Sequence, residues 1–219
     1  MSVANLTQAT QDYLKAIWSL GEWSDGNVTV TALAERLGVR TSSASDGLRK
    51  LVDQGFVEHA PYGAIVLTAA GRAHAIAMVR RHRLLETYLA QELGYAWDEV
   101  HDEAEAMEHS VTDILIDRMD AKLGHPTRDP HGDPIPSADG APHLPPAIPI
   151  NELAGREGVV ARISDSNPER LRVFAEAGIV PDAVVSASPD GLSLRVQGDV
   201  YWPAEGDADA IWVIPRSRS

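Results

Sequence analysis

Residues 124–149 are so rich in Pro, Gly and Asp that neither a continuous helix nor a continuous strand can run through them. This stretch separates two parts of the 219-residue chain that differ in pattern. Apolar residues recur at helical spacing before it. Short β-rich runs with turn signals follow it, interrupted by one helical segment, PERLRVFAEAG. We therefore predict a mainly α-helical protein that ends, after an ordered loop or linker, in a small β-barrel.

The beginning of the chain has the order of elements found in a winged helix-turn-helix. Helices are predicted over 7–20 and 30–37, and a glycine-containing turn, LGVRT, leads into a third helix over 41–54 that Thr41 is expected to cap. The alternating residues 56–68, around a central Pro-Tyr-Gly turn, predict a two-stranded hairpin. This order is typical of DNA-binding domains, although such modules also serve as packing units or protein–protein contacts.

Three further helices are predicted before the Pro-rich stretch. The longest covers about 69–93, with Thr68 as its cap. A second begins after a capping Asp98 and continues to about Ser110, and a shorter one covers 112–123.

The third helix of the winged module carries the predicted DNA-reading residues. Small hydroxyl side chains and free backbone N–H groups at a helix start suit phosphate oxygens, and nearby basic side chains add positive charge. The candidate DNA-binding residues are Arg40, Thr41, Ser42, Ser43, Ser45, Asp46, Arg49 and Lys50.

Composition narrows the chemistry that the chain can perform. It contains no cysteine, which excludes disulfides, thiol catalysis and thiolate metal sites, so that any metal must be held by nitrogen and oxygen. The net charge of −13 is unfavourable for binding nucleic acid. Residues 30–54, however, have four basic and three acidic side chains, so this segment does not share the negative charge of the rest of the chain. The opening residues lack the pattern of a signal peptide and no apolar run is long enough to span a membrane, so we expect a cytoplasmic protein.

The segment HDEAEAMEH contains the most informative cluster. On a helix, His101, Glu105, Glu108 and His109 share one face, and two carboxylates and an imidazole within one turn are brought together most readily by a cation. His82 and Glu86 repeat the theme one helix earlier. Solvated ion pairs explain such spacings equally well. The pattern is not HExxH, which gives a metal-dependent hydrolase little support.

The other histidines carry less weight as ligands. Three of them lie in the Pro-rich stretch: His125, His131 and His143.

At this point the chain resembles the diphtheria toxin repressor family, which includes iron-dependent repressors and manganese transport regulators. The resemblance rests on TQATQDYLKAIW, the helix-turn-helix, MVRRHRLLE, VHDEAEAMEH and PHGDPIP, in this order along nearly the whole chain. It implies a winged helix-turn-helix DNA-binding domain, a helical metal-binding and dimerisation domain, a Pro-rich linker and an SH3-like β-barrel. We place them at 1–72, 73–140, 141–149 and 150–219.

The resemblance also implies two metal sites in each subunit. The primary site would take Asp12, Glu105, Glu108 and His109. The ancillary site would take His82, Glu86 and His101, and the candidates for a further ligand from the barrel are Asp165 and Glu169.

Departures from the iron-sensing pattern bear on the metal. Iron-sensing members have Met in place of Asp12 and Cys in place of Glu105, and the exchange of sulfur for oxygen favours Mn²⁺. However, Lys15 stands where manganese regulators without a barrel have a second carboxylate, and His101 follows the iron-repressor plan. Asp46 replaces a Gln of the reading helix, so the operator sequence need not be shared.

The expected function is therefore a metal-dependent transcriptional repressor rather than an enzyme. Two Mn²⁺ or Fe²⁺ ions per subunit would order a homodimer for binding double-stranded operator DNA of metal-homeostasis genes, with no membrane and no small organic substrate as partner. Three alternatives are an iron-dependent regulator of iron uptake, a metal-dependent hydrolase, and a winged-helix interaction module with a peptide-binding barrel.

Overall fold

The computed structural model describes residues 3, 5–23, 27–59, 63–137 and 144–216. The chain divides into two compact units that each combine segments distant in sequence. The first contains Met1–His82, Glu108–Arg118 and Pro136–Ala141, and the second contains Arg83–Met107, Met119–Ile135 and Pro142–Ser219. These two units do not coincide with the four segments expected along the sequence. The boundaries of those segments therefore remain a prediction.

The first unit contains the predicted winged helix-turn-helix. Helices α1 (Gln8–Glu22), α2 (Val30–Arg36) and α3 (Thr41–Asp53) precede a hairpin of β1 (Val57–His59) and β2 (Ile65–Leu67), which pair antiparallel. The central Pro61 and Tyr62 of the predicted hairpin turn lie outside the described residues. The shared core of these elements is formed by Leu14, Ile17, Leu33, Leu48, Leu51, Val57 and Ile65.

Side-chain caps and a glycine define the helix ends. The hydroxyl of Thr7 accepts a hydrogen bond from Thr10 N, and that of Thr29 accepts one from Ala32 N, so each caps the helix that follows it. Gly38 has a φ of 62°, the left-handed conformation that the turn between α2 and α3 requires.

Two predicted caps are wrong. Arg40 occupies the N-cap position of α3 without a side-chain hydrogen bond, so Thr41 is already the first helical residue. Val39 N donates to Ala34 O in the turn between α2 and α3. Asp98 is not the N-cap either, because α5 begins at Val100, and its carboxylate accepts a hydrogen bond from Arg172 Nε at 2.6 Å.

Three helices lie between the hairpin and the Pro-rich stretch in the sequence. They are α4 (Ala69–Leu93), α5 (Val100–Met107) and α6 (Asp113–Lys122). The Thr68 hydroxyl accepts a hydrogen bond from Gly71 N at 3.1 Å, which confirms its role at the start of α4. Helix α5 ends three residues before the predicted Ser110, and a turn follows that contains Glu108 and His109.

The second unit contains an antiparallel sheet of six strands in the order β3-β8-β4-β5-β6-β7. The strands are β3 (Ile148–Pro149), β4 (Glu157–Ile163), β5 (Val184–Ala187), β6 (Leu194–Val196), β7 (Asp199–Tyr201) and β8 (Ile211–Pro215). The predicted helical segment is α7 (Pro168–Glu176), which begins after the side-chain cap Asn167 and buries Leu171 and Phe174 in the sheet's core.

The first half of the Pro-rich stretch is an ordered loop, as expected. Arg128 and Pro134 form a β-bridge, and the Asp129 carboxylate accepts hydrogen bonds from His131 N at 2.9 Å and Asp133 N at 3.0 Å. Gly132 has a φ of 92° and lies so close to the Ala161 carbonyl that a Cβ would overlap it. Residues 138–143, including His143, lie outside the described part of the chain.

No α-helix in the described part of the chain combines the length and apolar character that a membrane span requires.

Candidate metal centres and DNA-binding surface

A first cluster of metal-capable side chains lies in the first unit. Asp12, Glu108 and His109 bring their ligand atoms within 4.8 Å of one another. The Nε2 atom of His109 is 2.9 Å from Asp12 Oδ1 and 3.6 Å from Glu108 Oε1. Asp12 comes from the second turn of α1, and the other two come from the turn that follows α5. The structure thus brings together three of the four residues expected at the primary site.

Glu108 is the most enclosed member of this cluster, with no exposed surface. Its Oε1 accepts a hydrogen bond from Lys15 Nζ at 2.6 Å, and its Oε2 lies 2.7 Å from His82 Nδ1. Burial alone would raise the pKa of Glu108, but the hydrogen bond and charge of His82, followed by those of Lys15, lower it below its usual range. Glu108 is therefore held as a carboxylate, which is the form that binds a metal.

His82 contacts Glu108 of the first cluster, and its assignment to the ancillary site remains a prediction. Its ring is buried and meets Glu108, while Glu86 lies one helical turn later on α4.

Gln11 orients the His109 ring and was missed by the sequence analysis. The amide of Gln11 donates from Nε2 to the carbonyls of Val3 and Leu6 at 3.2 and 3.0 Å. Its Oε1 therefore accepts from His109 Nδ1 at 3.0 Å. The other ring nitrogen, Nε2, faces Asp12 and is the atom available to a metal. A hydrogen bond of this kind fixes the tautomer of a metal-binding histidine.

A second cluster lies in the second unit and is centred on Glu86. The ligand atoms of Glu86, His101 and Asp165 lie within 4.8 Å of one another, and so do those of Glu86, Asp129 and His131. His101 Nδ1 is 2.9 Å from Asp165 Oδ2 and 3.3 Å from Glu86 Oε1. Of the two barrel candidates, Asp165 is the one that the structure brings to the expected ancillary residues.

His131 completes this cluster, although the sequence analysis gave it little weight. Its Nε2 donates to the Trp97 carbonyl at 2.7 Å, and its Nδ1 faces Glu86 Oε2 at 3.9 Å. That Nδ1 atom is buried and has no hydrogen-bond partner among the described residues. Buried polar atoms nearly always have a bonding partner, so this nitrogen is suited to bind a cation.

The electrostatics of the second cluster also favour a cation. Burial would lower the pKa of His101, but hydrogen bonds and charges from Asp165 and Glu86 raise it to about 10. Burial and the neighbouring carboxylates of Asp133 and Glu86 raise the pKa of Asp129 well above its usual range. Several carboxylates thus compete for positive charge in a space with little water, and a divalent ion relieves their repulsion.

One predicted ligand lies apart from these contacts. Glu169 is on the exposed side of α7, and no group of metal-capable side chains in the described part of the chain includes it. Leu171 and Phe174 form the buried face of α7, whereas Glu169 is exposed. Glu105, on α5, is 39% exposed and lies 3.8 Å from His101 Nε2.

The predicted DNA-binding residues lie on the outer side of α3 and just before it. Ala44, Leu48 and Leu51 are buried and fix the inner face of the helix, whereas all eight candidates are exposed or, in the case of Ser45, half-buried. Arg49 donates to Asp46 Oδ1 at 3.0 Å, so these two charges partly compensate each other in the absence of DNA.

A winged helix-turn-helix with such an exposed helix, in a chain that also holds two clusters of carboxylates and imidazoles, defines a metal-responsive DNA-binding regulator. Two sequence models of one family match the chain. The N-terminal DNA binding domain of the iron dependent repressor matches residues 5–65, and the metal binding and dimerisation domain of the same family matches residues 68–137.

Individual relatives agree with this assignment. The iron-dependent repressor IdeR of Mycobacterium leprae is 36% identical over 203 residues, which cover 85% of this chain and 87% of the relative. The diphtheria toxin repressor of Corynebacterium glutamicum is 31% identical over 187 residues, covering 80% and 81%.

Solved structures support the same fold. A manganese-dependent transcriptional repressor in complex with manganese superposes with a TM-score of 0.89 at 50% identity, covering 94% of this chain and all of the other. The manganese regulator SloR has a TM-score of 0.80 at 26% identity, covering 96% of this chain and 100% of its own. The chain therefore belongs to the iron-dependent repressor family and is a metal-dependent transcriptional repressor, not an enzyme.

Proposed function

We propose that this repressor acts as a cytoplasmic homodimer that binds operator DNA of metal-homeostasis genes when Mn²⁺ fills two sites in each subunit. The observation that carries the proposal is the convergence of Asp12, Glu108 and His109 at one point and of further carboxylates and histidines around Glu86 at another. Both sets consist only of nitrogen and oxygen donors, which suit Mn²⁺. Iron remains the second candidate, because curated relatives are named iron-dependent repressors.

The primary site takes Asp12, Glu108 and His109, with His82 as a neighbour of Glu108 and Glu105 from the preceding helical turn. The hydrogen bond that orients His109 and the low pKa of Glu108 support this assignment, since the ring is held in place and the carboxylate is charged before a metal arrives. The ancillary site takes Glu86, His101 and Asp165, joined by His131 and Asp129. Glu169 has no part in it.

The residues perform the switch by restraining α1. A bound divalent cation supplies a strong electrostatic link between side chains that otherwise repel each other. Asp12 is then held against Glu108 and His109, so α1 and the winged helix-turn-helix built on it lose freedom. In the dimer, the two α3 helices must fit successive major grooves about 34 Å apart. A hundredfold preference of metal for the DNA-competent state corresponds to about 2.7 kcal/mol.

An electrophoretic mobility-shift titration tests the proposal. Duplexes selected from a random library by the Mn²⁺-loaded protein should be retarded with Mn²⁺, less so with Fe²⁺ or Zn²⁺, and not with chelator. Metal-independent retardation, or none under any condition, would overturn it. The second outcome would favour a winged-helix interaction module.

Substitution of ligands makes the test specific. His109→Ala and Glu105→Ala should each abolish metal-dependent DNA retardation and leave a folded dimer in analytical ultracentrifugation. His125→Ala is the matched control, because His125 is 73% exposed and pairs with Asp120. Retained metal activation in both ligand variants would refute the primary site.

A further inference from the structure

Tyr13 follows Asp12 directly on α1 but contacts a different part of the first unit. Its hydroxyl donates a hydrogen bond to the Ser43 carbonyl in the first turn of α3, at 3.1 Å. Successive residues of a helix point about 100° apart. One turn of α1 therefore presents a carboxylate to the first cluster and an aromatic ring to the candidate recognition helix.

Gly47 shows that α3 is built to receive this ring. It lies in the helix interior, where glycine is less favourable than alanine, so its presence calls for a packing reason. A Cβ at this position would overlap the distal atoms of the Tyr13 ring. Ser43 and Gly47 are four residues apart and share one helix face, which the ring covers.

The hydrogen bond from Tyr13 ends on the part of α3 that is expected to face DNA. Asp46 and Ser43 are themselves candidate DNA-contacting residues, so a displacement of the ring changes the surface that faces DNA.

We infer that Tyr13 is the positioning residue that transmits metal-dependent restraint of α1 to the recognition helix α3, through a ring that fits the space over Gly47. The inference rests on the proposed function, because Asp12 must be restrained by metal before Tyr13 has anything to transmit. A merely structural tyrosine would stabilise the apo and the metal-bound forms equally. A transmitting tyrosine affects α3 mainly when metal is present.

Hydrogen–deuterium exchange of the full-length protein, with and without MnCl₂, separates these roles. In the unsubstituted protein, Mn²⁺ should slow amide exchange along α3. In Tyr13→Phe, this metal-induced protection should fall about fivefold, as expected for one hydrogen bond, while Mn²⁺ affinity by calorimetry stays within about twofold. Tyr95→Phe is the control, since Tyr95 is partly exposed and lies outside the winged module.

A double-mutant cycle tests the fit of the ring. Gly47→Ala should reduce the metal-induced protection about tenfold in the unsubstituted background but cause no further loss when combined with Tyr13→Ala. Independent, additive effects would overturn the inference, and so would full protection in Tyr13→Phe or a parallel fall in Mn²⁺ affinity. If Mn²⁺ binds the unsubstituted protein without protecting α3, transmission fails and the metal sites stand. If Mn²⁺ does not bind, the inference and the proposed function fail together.

Discussion

Lys15 Nζ lies 2.6 Å from Glu108 Oε1, and both side chains are almost fully buried. A fixed positive charge thus occupies one side of a carboxylate that we propose as a metal ligand. The ammonium compensates Glu108 before any metal arrives, but it also repels a divalent ion at short range. The affinity of the primary site is therefore a balance between a preformed anion and an adjacent cation.

Lys15→Met should strengthen Mn²⁺ binding at the primary site and lower the stability of the metal-free protein. Removal of the ammonium should tighten Mn²⁺ binding at least about tenfold by calorimetry. The metal-free protein should lose about 3 kcal/mol in free energy of unfolding, because one partner of a buried pair is gone. Lys122→Met is the control, since Lys122 forms an exposed pair with Glu92. Unchanged or weaker Mn²⁺ binding would contradict this account.

Gln11→Leu tests the orientation of His109. The substitution keeps the approximate volume but removes the acceptor for His109 Nδ1, so the ring loses its fixed tautomer. Mn²⁺ affinity should fall by about tenfold, the lower end for loss of a hydrogen bond to a metal ligand. Gln8→Leu, three residues earlier on the exposed side of α1, should leave the affinity unchanged. Equal affinities of the two variants would argue against the role of Gln11.

His131→Gln tests the second cluster. Removal of the Nδ1 atom that faces Glu86 should reduce bound Mn²⁺ from two ions per subunit to one, measured by elemental analysis after gel filtration. His125→Gln serves as the matched control in the same Pro-rich stretch. If His131→Gln still retains two ions, the assignment of this histidine is wrong.

The combined substitution Asp12→Met and Glu105→Cys tests the hard-ligand argument. Sulfur ligands should move the preference from Mn²⁺ toward Fe²⁺, which anaerobic competition between the two ions would show as a changed ranking. An unchanged ranking would show that the ligand atoms at positions 12 and 105 do not set the metal preference.

Most helices and strands were predictable from the sequence, whereas the cluster around Glu86 was predictable only in part. Apolar spacing located all three helices of the winged module because each buries one face in a shared core. His131 and Asp129 escaped notice because they lie in a loop, where no periodicity signals which side chains point inward. Gln11 and Lys15 were not assigned a contact for a related reason. Their partners lie more than ninety residues away in the chain, a distance that local spacing does not bridge.

The caps show the same limit on a smaller scale. Thr7, Thr29 and Thr68 act on their own helices, whereas Asp98 binds Arg172 across 74 positions. A local rule identifies a residue able to cap a helix, but it does not show which distant group competes for the same oxygen.

The loop that presents His131 is attached to strand β4, where Ile163 N donates to the His131 carbonyl and Arg162 pairs with Asp133. Asp165 follows on the same stretch of chain. During synthesis, Glu86 and His101 leave the ribosome long before these partners exist. The proposed ancillary site can therefore form only after β4 has been made and folded, so a chain terminated before β4 would keep the winged helix-turn-helix but lack this proposed site.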